Sequence, residues 1–322
     1  MGEIKISKRK TLPYIILALL ALILPLIFRN EYIYSVLISI ILWAAISSSF
    51  DLTAGFIKVT NFGYAGFFAA GAYTSGLLAL YYGVSPWIGL MLGTIVASAL
   101  AAAVGFLTLR LHGIFAAAFS WFIAETLKYT LAALTDITRG YHGLACPPFF
   151  PGISRLPYYY MILFVYIAEL IIMMRIINGK MGFAFKVIGE DETAARTIGV
   201  DVTFYRVLCF VISCAFAGFL GVFYAHYYNV ITPDVSSLSI TIPALAICYV
   251  GGRGSIWGSL PSAAIILTIF ELLRPYEAIG VISFAHKYIV YGVLLIIVMI
   301  WVQGGLAGAI KKLTEKYVKT AS

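Results

Sequence analysis

The chain has 322 residues, 62% of them hydrophobic and only 11% charged, with a mean hydropathy of +0.97. Soluble domains are about 45–50% apolar, so a water-soluble fold has nowhere to put this surplus, and runs that are continuous rather than alternating argue against a membrane β-barrel. The net charge of +8 sits beside the apolar runs, which fits the positive-inside rule better than a nucleic-acid surface.

Apolar runs of about 18 or more residues read as membrane-crossing helices. In chain order they are Leu12–Phe28, Tyr32–Phe50, Gly63–Tyr82, Trp87–Leu109, Ile114–Leu134, Tyr158–Ile177 and Phe204–Tyr228. Two shorter pieces follow, Leu238–Val250 and Ser259–Leu273, and a last run, His286–Trp301. The predicted fold is an all-α polytopic membrane protein, one transmembrane domain over 1–322 with about ten crossings, some short or broken. The first run follows a basic stretch but has no small-x-small cleavage pattern, so it reads as a retained span. With ten crossings the clusters Lys5, Lys8, Arg9 and Lys10, then Arg110, then Arg175, Lys180 and Lys186, and finally Lys311, Lys312, Lys316 and Lys319 all fall on one side. That places both termini in the cytoplasm.

Two connections are long. Residues 135–157, TDITRGYHGLACPPFFPGISRLP, form an external loop, and residues 178–203 form a cytoplasmic one. Two glycine-rich or polar breaks interrupt the membrane region, DLTAGFIKVTNFG at Asp51–Gly63 and VGGRGSIWGS at Val250–Ser259. Thr60-Asn61-Phe62-Gly63 matches Ser255-Ile256-Trp257-Gly258 in pattern. Broken segments at corresponding places in two halves point to a binding site or route, and irregular backbone at membrane depth must be covered by protein or line a wet cavity. Thr53, Asn61, Gly63, Tyr64, Gly251, Gly252, Gly254, Ser255 and Gly258 are therefore candidates for the path. The reading of both breaks as ordinary cytoplasmic turns stays open.

Charges inside apolar runs are usually paired. Glu125 with Lys128, and Glu271 with Arg274, stand at i,i+3 and are expected as buried charge pairs. Glu169 has no local partner, and His226 beside Tyr224, Tyr227 and Tyr228 reads as an interfacial anchor. Cys146, Cys209, Cys214 and Cys248 lack metal-ligand spacing and read as packing residues. No catalytic or metal-binding constellation stands out, and there is no phosphate-binding loop, so no catalysis and no cofactor are expected.

The densest run of acid is GEDETAARTIG, Gly189–Gly199. It reads as a short exposed helix opening on Glu190, Asp191 and Glu192, where the dipole favours acids. Glu192 and Arg196 are spaced for an i,i+4 pair, and Gly199 is placed to end the helix. Ala194 and Ala195 are small enough to let another surface approach. A solvated connector is the other reading of the same residues.

GFAFKVIGEDETAARTIGVDVTFYRVLCFVIS resembles the cytoplasmic coupling loop of permease subunits in branched-chain amino acid ABC importers. NFGYAGFFAAGAYTSGLL at Asn61–Leu78, LRLHGIFAAAFSWFIAETLK at Leu109–Lys128, GLACPP, GVFYAHYYNVITPD at Gly221–Asp234 and VGGRGSIWGSLPSAAIILTIFELLR at Val250–Arg274 resemble that family's segments in the same order. The chain is more similar to the second of the family's two permease types. Where the family has basic residues near Phe183 and Gly189 and a His at Tyr64, this chain differs.

The resemblance implies a transport subunit without enzymatic activity in the cell (inner or plasma) membrane, embedded in the lipid bilayer and binding no nucleic acid. Its implied partners are a second permease subunit, two ATP-binding subunits and an external substrate-binding protein. Its implied solute is a branched-chain amino acid, although relatives handle urea, other amino acids or sugars. The implied ATPase-coupling residues are Gly182, Glu190, Asp191, Glu192, Ala194, Ala195 and Gly199. The alternative, a self-contained secondary transporter or channel for a small polar solute, would need an intramembrane acid such as Glu125, Glu169 or Glu271.

Overall fold

The structure is a computed structural model that describes residue 25, residues 30–108 and 114–278, and a few positions between 289 and 308. Most of the apolar runs Leu12–Phe28 and His286–Trp301, and the basic clusters at both ends and at Arg110, lie outside the described residues.

The helices follow the apolar runs because each run also carries stop signals. Helix α1, Glu31–Asp51, starts where the Asn30 side chain accepts the Tyr32 amide at 2.9 Å, and it continues into one π-helical turn, Leu52–Phe56. Helix α2, Tyr64–Tyr82, ends at Gly83, whose φ of +62° is the left-handed conformation that glycine adopts freely. Helix α3 is Pro86–Thr108 and α4 is Ile114–Ala133. After a long loop come α5, Leu156–Asn178, then the short surface helices α6, Lys180–Glu190, and α7, Glu192–Thr197. Helix α8, Val202–Tyr228, is capped by the Asp201 side chain at its start and by left-handed Asn229 at its end. Helix α9, Leu238–Gly251, is short, and α10 is Ser259–Ala278.

Among the described residues, five helical stretches are long and apolar enough to cross a membrane: Glu31–Phe56, Pro86–Thr108, Leu156–Asn178, Val202–Tyr228 and Ile256–Arg274. Helices α2 and α4 are long enough, at 19 and 20 residues, but less apolar. Helix α2 is the centre of the bundle, and the side chains from Tyr64 to Tyr73 are buried. It can be central because small residues let backbones meet, as membrane helices require. A Cβ placed on Gly71 would lie 2.2 Å from the Gly218 carbonyl of α8, and one on Gly93 of α3 would lie 2.8 Å from the Gly71 carbonyl. Three helices thus touch backbone to backbone around one point.

The loop between α4 and α5 packs against this bundle. Leu144–Ala145 (β1) pairs antiparallel with Val230–Ile231 (β2), and the Cys146 amide donates to the Asn229 carbonyl at 2.7 Å. His226 is fully buried, not an interfacial anchor as its tyrosine neighbours imply. Its Nδ1 lies 2.6 Å from the Pro147 carbonyl, which can only accept, so Nδ1 carries a proton, and the Ser75 hydroxyl bonds Nε2 at 2.6 Å. Phe149, Tyr158 and Phe223 pack as aromatic neighbours beside it.

Candidate functional site

The acidic stretch is two helices, not one. Glu190 is the last residue of α6, and Asp191 is extended, with φ −153° and ψ 114°. The Asp191 carboxylate caps α7, accepting the amides of Thr193 at 2.8 Å and Ala194 at 3.1 Å. A residue that caps well competes with continuing the helix, which is why the run of three acids breaks in its middle. Glu192 opens α7 and pairs with Arg196 at 3.0 Å, and also with Arg206 of α8 at 3.2 Å. Ala195 is fully buried beneath α7, while Ala194 is exposed. Gly199, at φ +81°, ends the segment in open space. Gly182 lies where α6 crosses the end of α5, and a Cβ there would meet the Ile177 carbonyl at 2.1 Å. Beside Glu190 and Ala194, this surface exposes Met181, Phe183 and Ile198, apolar residues that the charge pattern alone did not single out.

This surface rests on the π-turn that ends α1. A Cβ on Gly189 would lie 2.0 Å from the Phe56 carbonyl, so α6 sits directly on that turn. Lys58 Nζ meets Glu190 Oε1 at 2.9 Å, with Lys58 itself in the left-handed region at φ +60°. The ion pair is largely exposed and worth at most about 1 kcal/mol; the close backbone approach is the firmer constraint.

The same turn joins the two glycine-rich breaks. Asp51 Oδ1 accepts the Gly254 amide at 2.9 Å and the Cys248 thiol at 3.2 Å. A Cβ on Gly55 would lie 2.3 Å from the Gly254 nitrogen. In the second break, Gly251 packs on Gly258, Gly252 packs on Gly304, and Gly252 and Gly254 have φ of +105° and +75°. The Ser255 amide closes the turn on the Gly252 carbonyl at 3.0 Å. In the first break, Asn61 is buried with its Nδ2 3.5 Å from Cys214 Sγ, near the middle of α8. The Gly63 amide donates to Ser120 Oγ, and fully buried Tyr64 bonds Ser49. Thr53 lines a cavity of about 40 Å³ with Ile57, Thr108 and Arg206. The path candidates therefore gather into two packed knots, one around Asp51 and one around Asn61.

The expected charge pairs differ in part. Lys128 turns from Glu125 to Asp234, at 3.1 Å, because the segment before α9 brings Asp234 within reach. Glu125 bonds instead to Trp121 Nε1 at 3.4 Å. Glu271 and Arg274 do pair, at 2.8 Å, but at the surface rather than buried, with Tyr32 also on Glu271. Glu169 is buried, and neither carboxylate oxygen has a hydrogen-bond partner among the described residues.

A sequence profile described as "Branched-chain amino acid transport system / permease component" matches residues 32–299. The chain is 28% identical over 284 residues to the high-affinity branched-chain amino acid transport system permease protein LivM of Salmonella typhimurium, covering 80% of this chain and 65% of that protein. The LivM protein of Escherichia coli gives the same identity and coverage. The chain thus spans about two thirds of the length of these two relatives. It is 25% identical over 269 residues to the probable branched-chain amino acid transport permease protein LivH of Methanocaldococcus jannaschii, covering 76% of this chain and 80% of that protein. No solved structure matches. The profile covers most of the bundle and both glycine-rich knots, and the chain belongs to the family of branched-chain amino acid transport permease components.

Proposed function

We propose that this chain is a permease subunit of an ATP-driven importer, forming part of the path for a branched-chain amino acid delivered by an external binding protein. In this reading it crosses the cell membrane about ten times as a single domain with both termini inside. It works with a second permease subunit and two ATP-binding subunits, which hydrolyse the ATP. Residues 178–203 face the cytoplasm and 135–157 face outside.

The observation that carries the reading is the seat of α6 on the π-turn. A partner closing on Glu190, Ala194 and Gly199 would push Gly189 against the Phe56 carbonyl, and Asp51 would pass that displacement to Gly254. Single π-turns recur at functional places in helices. Packed elements move as rigid bodies, so the push would reach both knots.

The test is affinity isolation of the tagged chain from its native membranes with ATPase activity measured on the eluate. Wild type should bring down an ATPase, and a folded variant carrying Gly199→Pro, Glu190→Lys and Glu192→Lys should lose it. An absence of ATPase under every gentle extraction would overturn the reading. One observation favours a second reading, a self-contained secondary transporter: Glu169 is a buried acid with no hydrogen-bond partner among the described residues. Solute uptake without any ATPase, abolished by Glu169→Gln, would decide for it.

A further inference from the structure

After α8 the chain does not run along the outer end of the bundle. Ile231 and Leu144 lie beside Gly76 of α2, both within 4 Å of where its Cβ would be. Five residues later the Ser236 hydroxyl donates to the Ala124 carbonyl of α4 at 2.8 Å, and Ala124 packs on Gly66 of α2. Gly66 and Gly76 are ten residues apart on one helix, about 15 Å at the helical rise. The contacts made by 231–236 are thus spread over about 15 Å of α2, about half the thickness of a bilayer core of about 30 Å. Helix α9 starts there, with the Ser237 side chain as its cap. Its 14 residues make a helix of about 21 Å, too short to cross the whole core.

Two ionisable side chains meet at the foot of this descent, and a third stands one helical turn away. Lys128 Nζ and Asp234 Oδ1 are 3.1 Å apart, and Glu125 stands one turn from Lys128 on α4. Their formal sum is one negative charge, and among the described residues no cation forms an ion pair with Glu125. Trp121, Glu125 and Tyr129 form a stripe at four-residue spacing, with Trp121 37% and Tyr129 65% exposed. The Asp234 side chain is 56% exposed. A carboxylate open to lipid at this depth costs about 2.5–3.5 kcal/mol even on the mildest scale. Pro233–Ser236 is a 3-10 turn with Pro233, Val235 and Ser236 buried, so its backbone is covered by protein and only the Asp234 carboxylate opens outward. The face of α4 that carries Glu125, together with the turn that carries Asp234, has the composition of the wall of an aqueous path.

We infer that Glu125, Lys128 and Asp234 form a half-depth site in that path for the charged end of a zwitterionic amino acid. The solute's ammonium group supplies the missing positive charge between Glu125 and Asp234, and its carboxylate turns to Lys128. Its apolar side chain lies on Trp121 and Tyr129, whose rings also favour a nearby cation. This rests on the importer reading and assigns it a solute-contacting wall.

The test is thiol accessibility in the assembled complex, in membranes. All four native cysteines are buried, so background labelling is low. Ser237→Cys keeps all three charges and reports from the wall, Asp234→Cys reports from its tip, and Ser239→Cys replaces Ser237→Cys should that variant fail to assemble. The probes are a cationic and an anionic methanethiosulfonate. Both positions should react in water, with the cationic probe faster at Ser237→Cys by about tenfold, as charge steering allows. Adding Glu125→Gln should remove that preference, and excess leucine with the binding protein should slow labelling by about threefold or more. Reaction only with a lipid-soluble maleimide, or no reaction at either position, overturns the site. Labelling that ignores leucine in a preparation carrying the ATPase overturns the site and leaves the importer reading standing. A preparation with neither ATPase nor leucine uptake overturns both.

Discussion

Asp51 accepts the amide of Gly254 at 2.9 Å across 203 positions of chain. One bond thus ties the end of the first described helix to the turn between α9 and α10. The tie needs an acceptor oxygen at Asp51, not a charge. Asp51→Asn should retain most solute uptake, whereas Asp51→Ala, which leaves a part-buried amide without its partner, should cost about 1–3 kcal/mol of stability. Comparing melting of the two purified variants, with uptake in cells, checks this; equal behaviour of both would remove the tie from the argument.

Gly189 is the contact between α6 and the π-turn. Gly189→Val adds atoms where only 2.0 Å separates a Cβ from the Phe56 carbonyl. It should lift α6, at a cost of about 1–3 kcal/mol, and reduce uptake by about tenfold or more. Measuring uptake at matched membrane abundance decides, and near wild-type transport would mean that the contact does not transmit motion.

Cys146 lies in the loop between α4 and α5, where burial pushes its thiol up to about 12. At pH 8 about one molecule in ten thousand is thiolate, the reactive form. Maleimide should leave it unlabelled in the native chain and label it in His226→Ala, which removes the bridge from Ser75 to Pro147. The unfolded thiol loses its proton near pH 9 and the folded one near 12, so this group's contribution to stability is complete below about pH 9 and drains away between those values. A pH series of melting temperatures for wild type and Cys146→Ser reads that difference.

Gly71 sits where α2, α3 and α8 touch. Gly71→Leu should prevent close packing of all three, a loss of more than about 3 kcal/mol. Size-exclusion chromatography of the extracted chain should show little folded monomer, and normal yield would contradict the backbone contact.

The spans at Tyr32–Phe50, Gly63–Tyr82, Tyr158–Ile177 and Phe204–Tyr228 were legible because length and apolarity are local properties, and the described helices match them within a few residues. Gly199 as a terminator and the Glu192–Arg196 pair were legible for the same reason. The split between Glu190 and Glu192 was hidden because an acid at the first turn and an acid at the cap look alike in sequence. Spacing pointed Lys128 to Glu125, and only the folded chain brings Asp234 to it from more than one hundred residues away. Glycine pattern marked both breaks without revealing that Gly55 and Gly254 touch, or that Phe56 is the seat of Gly189. Contacts of that kind carry no periodicity.

The two-residue ladder between Leu144–Ala145 and Val230–Ile231 has a mechanical implication. It stitches the loop between α4 and α5 to the start of the stretch of chain that runs towards Asp234. A tug on that loop cannot stay at the rim: either the stitches part, or the pull is delivered like a bell-rope to Ser236 and the first turn of α9. What is felt at residues 144–145 is thereby felt at the first turn of α9.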